Sequence, residues 1–344
     1  MTELPGLDTD RLDAYLATAL PGLVTGPLSA ELVVGGRSNL TYYVTDGATR
    51  WVLRRPPLGH VLRTAHDMGR EFRVLSALAK TTVPVPATIH LCADPEPIGA
   101  PFYLMEYVPG VVIRSKAVCE DTLTPAGTTA VVEQLVDVLA ELHGVDADSV
   151  GLGDFGRPEG YLHRQVRRWR TQLDASRSRD VAGIDELHDR LAASVPVSRR
   201  TGLVHGDYRL DNVIVDPAAL AIAGVLDWEM ATLGDPLADV GLFVVYTRAR
   251  SPEDQLITGD VVASAGFPPS DTLVARYAER TGADLSDLAW YVGLACFKLA
   301  VVLEGIHYRF TQGKTVGAGF DEIGARVPGL VGEGLAALTG EESL

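Results

Sequence analysis

Apolar residues in the first third of the chain fall mostly in short extended runs, and later ones recur mostly at three- and four-residue steps. Asp8 or Thr9 can cap an opening helix in which Leu12, Tyr15, Leu16 and Ala19 share a face, ended by Pro21-Gly22. Strands are expected at Glu31–Val34, Leu40–Thr45, Trp51–Arg55, Thr88–Cys92 and Phe102–Tyr107. One helix, His66–Leu78, interrupts them, with Met68, Phe72, Leu75 and Leu78 on one stripe and Glu71 beside it. The rest is read as mainly helical: Ala126–His143, a helix from about Ile184 to Ser194, Leu237–Tyr246, and Trp290–Arg309. Leu294, Phe297, Lys298, Val301, Val302 and Gly305 run down the last of these.

One stretch breaks the helical rhythm. Residues 203–229 read LVHGDYRLDNVIVDPAALAIAGVLDWE. Leu203-Val204 ends at His205-Gly206-Asp207, so that polar triplet sits at a strand end or in a loop. Val213-Ile214-Val215 and the apolar run Ala223–Leu226 are separated by an Asp216-Pro217 turn. Such a hairpin is expected to bring Asn212, before the first run, near Asp227, after the second. Two carboxylates and an amide form an oxygen donor set of the kind that suits Mg²⁺, which takes few protein ligands and keeps places for water and phosphate.

Composition narrows the class. The 344 residues are 47% apolar and suffice for two cores. A net charge of −15 disfavours a general nucleic-acid binder. Cys92, Cys119 and Cys296 follow no metal-ligand spacing and suggest buried thiols in a reducing, cytoplasmic setting. The first residues are not expected to be a signal peptide, and no apolar run is expected to span a membrane. Nothing in the sequence fixes the oligomeric state.

His205-Gly206-Asp207, Asn212 after four intervening residues, and Asp227 after a hairpin resemble the catalytic and metal-binding segment of the aminoglycoside phosphotransferase family. The segment GGRSNLTY and the stretch Tyr161–Trp169 resemble the branch of that family associated with acyl-CoA dehydrogenases. The resemblance implies an α+β, two-lobed protein-kinase-like fold, with a small β-rich N-lobe (1–106), a hinge (107–110) and a larger, mainly helical C-lobe (111–344). It implies Asp207 as the base and Asn212 and Asp227 as Mg²⁺ ligands. It places Ser38 and Asn39 near the phosphates and gives the kinase strand's basic position to Arg54. Strand alternation sends Arg55 to the opposite face. Glu71 is then the helix carboxylate that pairs with Arg54, and backbone groups at Glu106 and Val108 would meet adenine. The carboxylate of the D-P-x-x-D motif, Asp239, would brace the catalytic loop, while Asp235 can equally cap the following helix. His143 is read as structural.

The activity expected is transfer of the γ-phosphoryl group of ATP or GTP to a hydroxyl of a small molecule, with Mg²⁺. Only a short link follows Asp227, and Trp228 stands where a protein kinase has Phe-Gly, which argues against a protein substrate. An aminoglycoside-resistance kinase and a non-catalytic nucleotide-binding protein are the alternatives. The arginines between Arg164 and Arg170 oppose the first if they face the acceptor, because an aminoglycoside is polycationic.

Overall fold

The computed structural model describes residues 4–33, 39–58, 67–248, 260–313 and 322–340. They form two compact units, Met1–Gly110 with Ala223–Glu229, and Val111–Ile222 with Met230–Leu344.

The first unit is built on a five-stranded antiparallel sheet in the order β1-β2-β3-β5-β4, from β1 (Ser29–Leu32), β2 (Leu40–Thr45), β3 (Arg50–Arg55), β4 (Thr88–Cys92) and β5 (Phe102–Glu106). Helix α1 (Thr9–Ala19) starts where Asp8 accepts the amides of Asp10 and Arg11, and its Leu12 and Leu16 are fully buried. They join Tyr42, Val44, Trp51, Leu53, Phe102 and Leu104 in one apolar cluster. Helix α2 (Met68–Leu78), capped by Asp67, packs on β4 and β5. With helices on both faces, β3 is buried from Trp51 to Arg55, so the usual in–out alternation of polarity is lost. Arg55 spends its guanidinium on the carbonyls of Pro56, Ile98 and Gly6. The first strand begins two residues before the expected start, and Val34 and His66 lie outside the described residues.

The second unit is helical: α3 (Lys116–Thr122), α4 (Pro125–Gly144), α5 (Tyr161–Ser176), α6 (Ile184–Ala193), α7 (Leu237–Thr247), α8 (Ser270–Thr281), α9 (Leu288–Thr311) and α10 (Val327–Thr339). Its centre is α9, packed against α10, α7 and α5. This helix has 24 residues and is apolar enough, by length and composition, to cross a membrane, which corrects the expectation from the sequence. Most of it is buried in the unit's core, which accounts for an apolar surface nearly all round. Short strands β6 (Gly202–Val204) and β9 (Thr232–Gly234) pair antiparallel. β7 (Val213–Asp216) and β8 (Ala221–Val225) form a hairpin, and along β8 the chain passes from the second unit into the first. There the amide of Val225 donates to the carbonyl of Pro84. The three cysteines are buried free thiols, with no disulfide among the described residues.

Helices α7 and α9 meet closely at Gly241. A Cβ there would stand 2.5 Å from the carbonyl oxygen of Tyr291, a backbone atom that cannot turn aside. Gly241→Ala is expected to destabilise the protein by about 1–3 kcal/mol, the ordinary cost of overpacking. A urea midpoint equal to that of the wild type would refute this reading of the contact.

Candidate active site

Two clusters hold the candidate residues, one in each unit. In the first unit the centre is Arg54. Its position on β3 turns the side chain to the α2 face, where Nε lies 3.4 Å from the Glu71 carboxylate and Nη2 lies 3.2 Å from that of Asp227. Glu71, on the buried side of α2, accepts hydrogen bonds from Asn39 and from the hydroxyl of Tyr103, each at 2.9 Å. Asn39 also donates to Glu229 at 3.2 Å. Burial opposes the charge on Arg54, but Tyr103, Glu71 and Asp227 outweigh it and hold its pKa above the ordinary arginine value. Burial pushes the Glu71 carboxyl up, with Arg54 opposing. Asp227 is in the left-handed region, with φ at 63°, a backbone conformation that Asp tolerates better than most residues. Its Oδ1 takes the Arg54 bond, and its side chain is 30% exposed.

The remaining first-unit candidates are less committed. Glu106 ends β5 with its side chain exposed, and its amide already donates to the carbonyl of Ala87 at 2.8 Å. Val108 follows, half-buried, before Pro109-Gly110. Ser38 lies outside the described residues.

In the second unit β6 delivers the His205-Gly206-Asp207 loop. Gly206 has φ of 85°, and a Cβ there would come within 2.8 Å of the Cβ of Met230, so the triplet needs glycine on both counts. Asp239, on the first turn of α7 and 1% exposed, accepts the amides of His205 at 2.7 Å and Gly206 at 2.8 Å. His143, at the end of α4, lies between Asp239 and the hydroxyl of Tyr277. Burial alone would raise the Asp239 carboxyl, but His143 and His205 bring it below the usual carboxylate value. Asp235 accepts the amide of Leu237 in the first turn of α7 and the hydroxyl of Tyr291, so it does act as a cap. Tyr208 ties the loop to α4 through the carbonyl of Leu135.

Asp207 is thereby presented on a fixed backbone. Its Oδ1 accepts the hydroxyl of Tyr246, and its Oδ2 and backbone carbonyl accept the amide nitrogen of Asn212 at 3.1 and 2.8 Å. Since that nitrogen must face two acceptors, Asn212 keeps its Oδ1 for another partner. Burial and the Asp207 carboxylate hold the Tyr246 phenol well above its ordinary value, so it remains a donor. The guanidinium of Arg209, paired with Asp211, lies over the Tyr246 ring at 4.5 Å. An amide oxygen and a half-exposed carboxylate are ligands that Mg²⁺ accepts. No group of three or more His, Cys, Asp or Glu suited to a metal occurs among the described residues; a cation shared with phosphate needs fewer protein ligands.

Tyr103, Glu229, Tyr246 and Lys298 complete these clusters and were not singled out for chemistry by the sequence. Glu229 had a signal, two residues after Asp227, and Lys298 is a charge within the apolar first half of its helix. The two tyrosines sit in apolar runs that look like core.

Comparison with known proteins follows the same lines. The family model described as "Phosphotransferase enzyme family" matches residues 29–291. Acyl-CoA dehydrogenase family member 10 of Mus musculus is 35% identical over 318 residues, covering 92% of this chain and 30% of that protein. The chain spans 30–43% of the length of the acyl-CoA dehydrogenase relatives it matches. A solved structure from Ralstonia eutropha JMP134, provisionally described as an aminoglycoside phosphotransferase, is 33% identical with a TM-score of 0.83, covering 97% of this chain and 98% of that one. A thermostable mutant of aminoglycoside phosphotransferase APH(4)-Ia, solved with AMP-PNP and hygromycin B, is similar in fold alone, at 16% identity and a TM-score of 0.61 over 97% of this chain and 99% of that one. The α+β, two-lobed kinase-like class implied by the sequence resemblance is therefore the observed one.

The Asp239 brace makes a pH prediction. Its folded pKa is depressed, so its contribution to stability is complete above the unfolded value, about 4, and is lost as the pH falls through the lower folded value. The stability difference between wild type and Asp239→Asn is expected to stay level from neutral pH down to about 5 and to shrink below about 4. A difference independent of pH through that range in denaturant titrations would contradict the assignment.

Proposed function

The chain belongs to the phosphotransferase enzyme family, and on that premise we propose that it moves the γ-phosphoryl group of ATP, or GTP, to a hydroxyl of a small molecule. The observation that carries this reading is the Asp207 carboxylate, oriented by Asn212 and Tyr246 on a loop whose backbone Asp239 clamps. In this reading Asp207 takes the acceptor's proton as the hydroxyl oxygen bonds to the γ-phosphorus, and the nucleoside diphosphate leaves. Arg54, held by Glu71, neutralises phosphate charge. An arginine in place of the usual lysine keeps a permanent charge and a forked donor. Asn212 Oδ1 and the Asp227 carboxylate are each a donor that suits Mg²⁺, which would offset charge on the phosphate oxygens. Positioning and electrostatics then supply most of the acceleration.

The AMP-PNP held by the APH(4)-Ia neighbour supports a nucleotide donor. For the acceptor we favour a hydroxy-acyl metabolite over an aminoglycoside, since the relatives at 32–35% identity are acyl-CoA dehydrogenase family members. Buried thiols accord with a cytoplasmic protein.

The test is γ-phosphate transfer from ATP and GTP, with and without Mg²⁺, to hydroxy acids, hydroxyacyl-CoAs, amino alcohols and aminoglycosides. Asp207→Asn is expected to lower kcat by about 10²–10⁴, the usual worth of a positioned base, while nucleotide binding by calorimetry persists. Chelation of Mg²⁺ should abolish transfer. Arg54→Met is expected to raise KM for the nucleotide. An Asp207→Asn enzyme as fast as the wild type would sink the proposal.

A further inference from the structure

A small cavity of about 30 Å³ opens beside the Asp207 loop in the second unit, enough room for one carboxylate-sized group. Gly206, Asp239, Tyr161, Gln165, Trp169 and Lys298 are among its walls. Its polar lining is unevenly satisfied. Asp239 is fully engaged by the amides of His205 and Gly206 and by His143. Lys298 is not. It comes from the apolar α9, is half-buried, and gives one hydrogen bond, to the carbonyl of Gly206, with no carboxylate within ion-pair distance among the described residues. An ammonium has three donors, so two remain. The hydroxyl of Tyr161, whose ring packs on Gly234, and the amide of Gln165 also have no hydrogen-bond partner among the described residues.

Three unspent polar groups on one small cavity, one of them cationic, describe a receptor for an oxygen-rich group. A charge taken out of water without a partner is costly, and a protein with no use for it could carry methionine there at little loss. The surroundings set the sign of the ligand. Lys298 lies 5.6 Å from the centre of the Trp169 ring, and Arg168 lies over the same ring at 5.2 Å. Burial lowers the Lys298 pKa and Arg168 adds to that, while Asp207 and Asp239 oppose it. An incoming anion would relieve this strain, and a polycation would worsen it. Two other arginines of α5 are otherwise occupied: Arg170 pairs with Asp174 and Asp185, and Arg164 binds the carbonyls of Arg157 and Glu159.

We propose that Lys298 is the specificity-determining residue for the acceptor, binding an oxygen of its acyl group, carboxylate or thioester, with Tyr161 and Gln165 as supporting donors. This rests on the phosphotransferase reading above and adds the group that is recognised. Lys298 bonds the carbonyl of Gly206, the residue before Asp207, so the recognised oxygen would lie against the loop that carries Asp207.

The test measures transfer from ATP to hydroxyvalerates differing in hydroxyl position, to their CoA thioesters, and to the matching pentanediols, which have a hydroxyl but no acyl oxygen. In Lys298→Met the kcat/KM ratio of acyl acceptor over diol is expected to fall roughly tenfold or more, the worth of a charge-assisted hydrogen bond, mainly through KM. Lys298→Arg should restore part of it. Comparing the free acids with the thioesters identifies which acyl oxygen is read. If Lys298→Met slows acyl acceptors and diols equally, Lys298 only holds the Gly206 carbonyl and the proposal is overturned. It is also overturned if the wild type shows no preference for acyl acceptors. Asp207-dependent ATP turnover in either case keeps the kinase reading intact, whereas its absence in the wild type would remove that reading instead.

Discussion

Two consecutive backbone amides, those of His205 and Gly206, both donate to one buried carboxylate, and the second unit's chemistry depends on that arrangement. A loop bent tightly enough to need a left-handed glycine would ordinarily leave its amides to water. Asp239 replaces the water with a fixed acceptor anchored on α7, and His143 and Tyr277 hold that acceptor in turn. The consequence is reach. A single side chain couples the ends of α4, α7 and β6, so the Asp207 carboxylate inherits the rigidity of the helical core rather than the freedom of a loop.

The first unit solves a different problem, keeping a guanidinium charged where water is scarce. Arg54 is bracketed by Glu71 and Asp227, and Glu71 is itself satisfied by Asn39 and Tyr103. One cation facing two carboxylates leaves the group short of positive charge, a state that a bound cation would correct. Such a network is poorly suited to pure stability, since well-packed apolar groups would serve as well or better.

Much of this was legible in the residues. Strand β2 and helix α1 were readable because their apolar periods agree with strong local signals, the Asp8 cap and flanking turns. Arg54 and Arg55 separated correctly because alternation on a strand admits only one per face. Glu71 was harder: from its helix alone a solvated glutamate is the default, and only the partner on β3 makes its burial sensible. Tyr103 and Tyr246 were hidden because a tyrosine in an apolar run packs like core whether or not its hydroxyl meets a carboxylate. The grouping of residues 223–229 with the first unit was beyond periodicity altogether, because it depends on where a seven-residue stretch finds its hydrogen-bond partners, such as Pro84, far away in sequence.

That return of the chain has a bearing on how the protein is made. A nascent polypeptide emerges from its N-terminus, and a contiguous N-terminal domain can finish folding while the remainder is still being synthesised. Here the first unit lacks Ala223–Glu229 until about half of the second has been translated. Its sheet can form early, but the Val225–Pro84 link and the Asp227 counter-charge to Arg54 arrive only afterwards. The basic centre of the first unit thus waits, incomplete, for a segment delivered by the unit that follows it, and cannot be assembled ahead of the loop that carries Asp207.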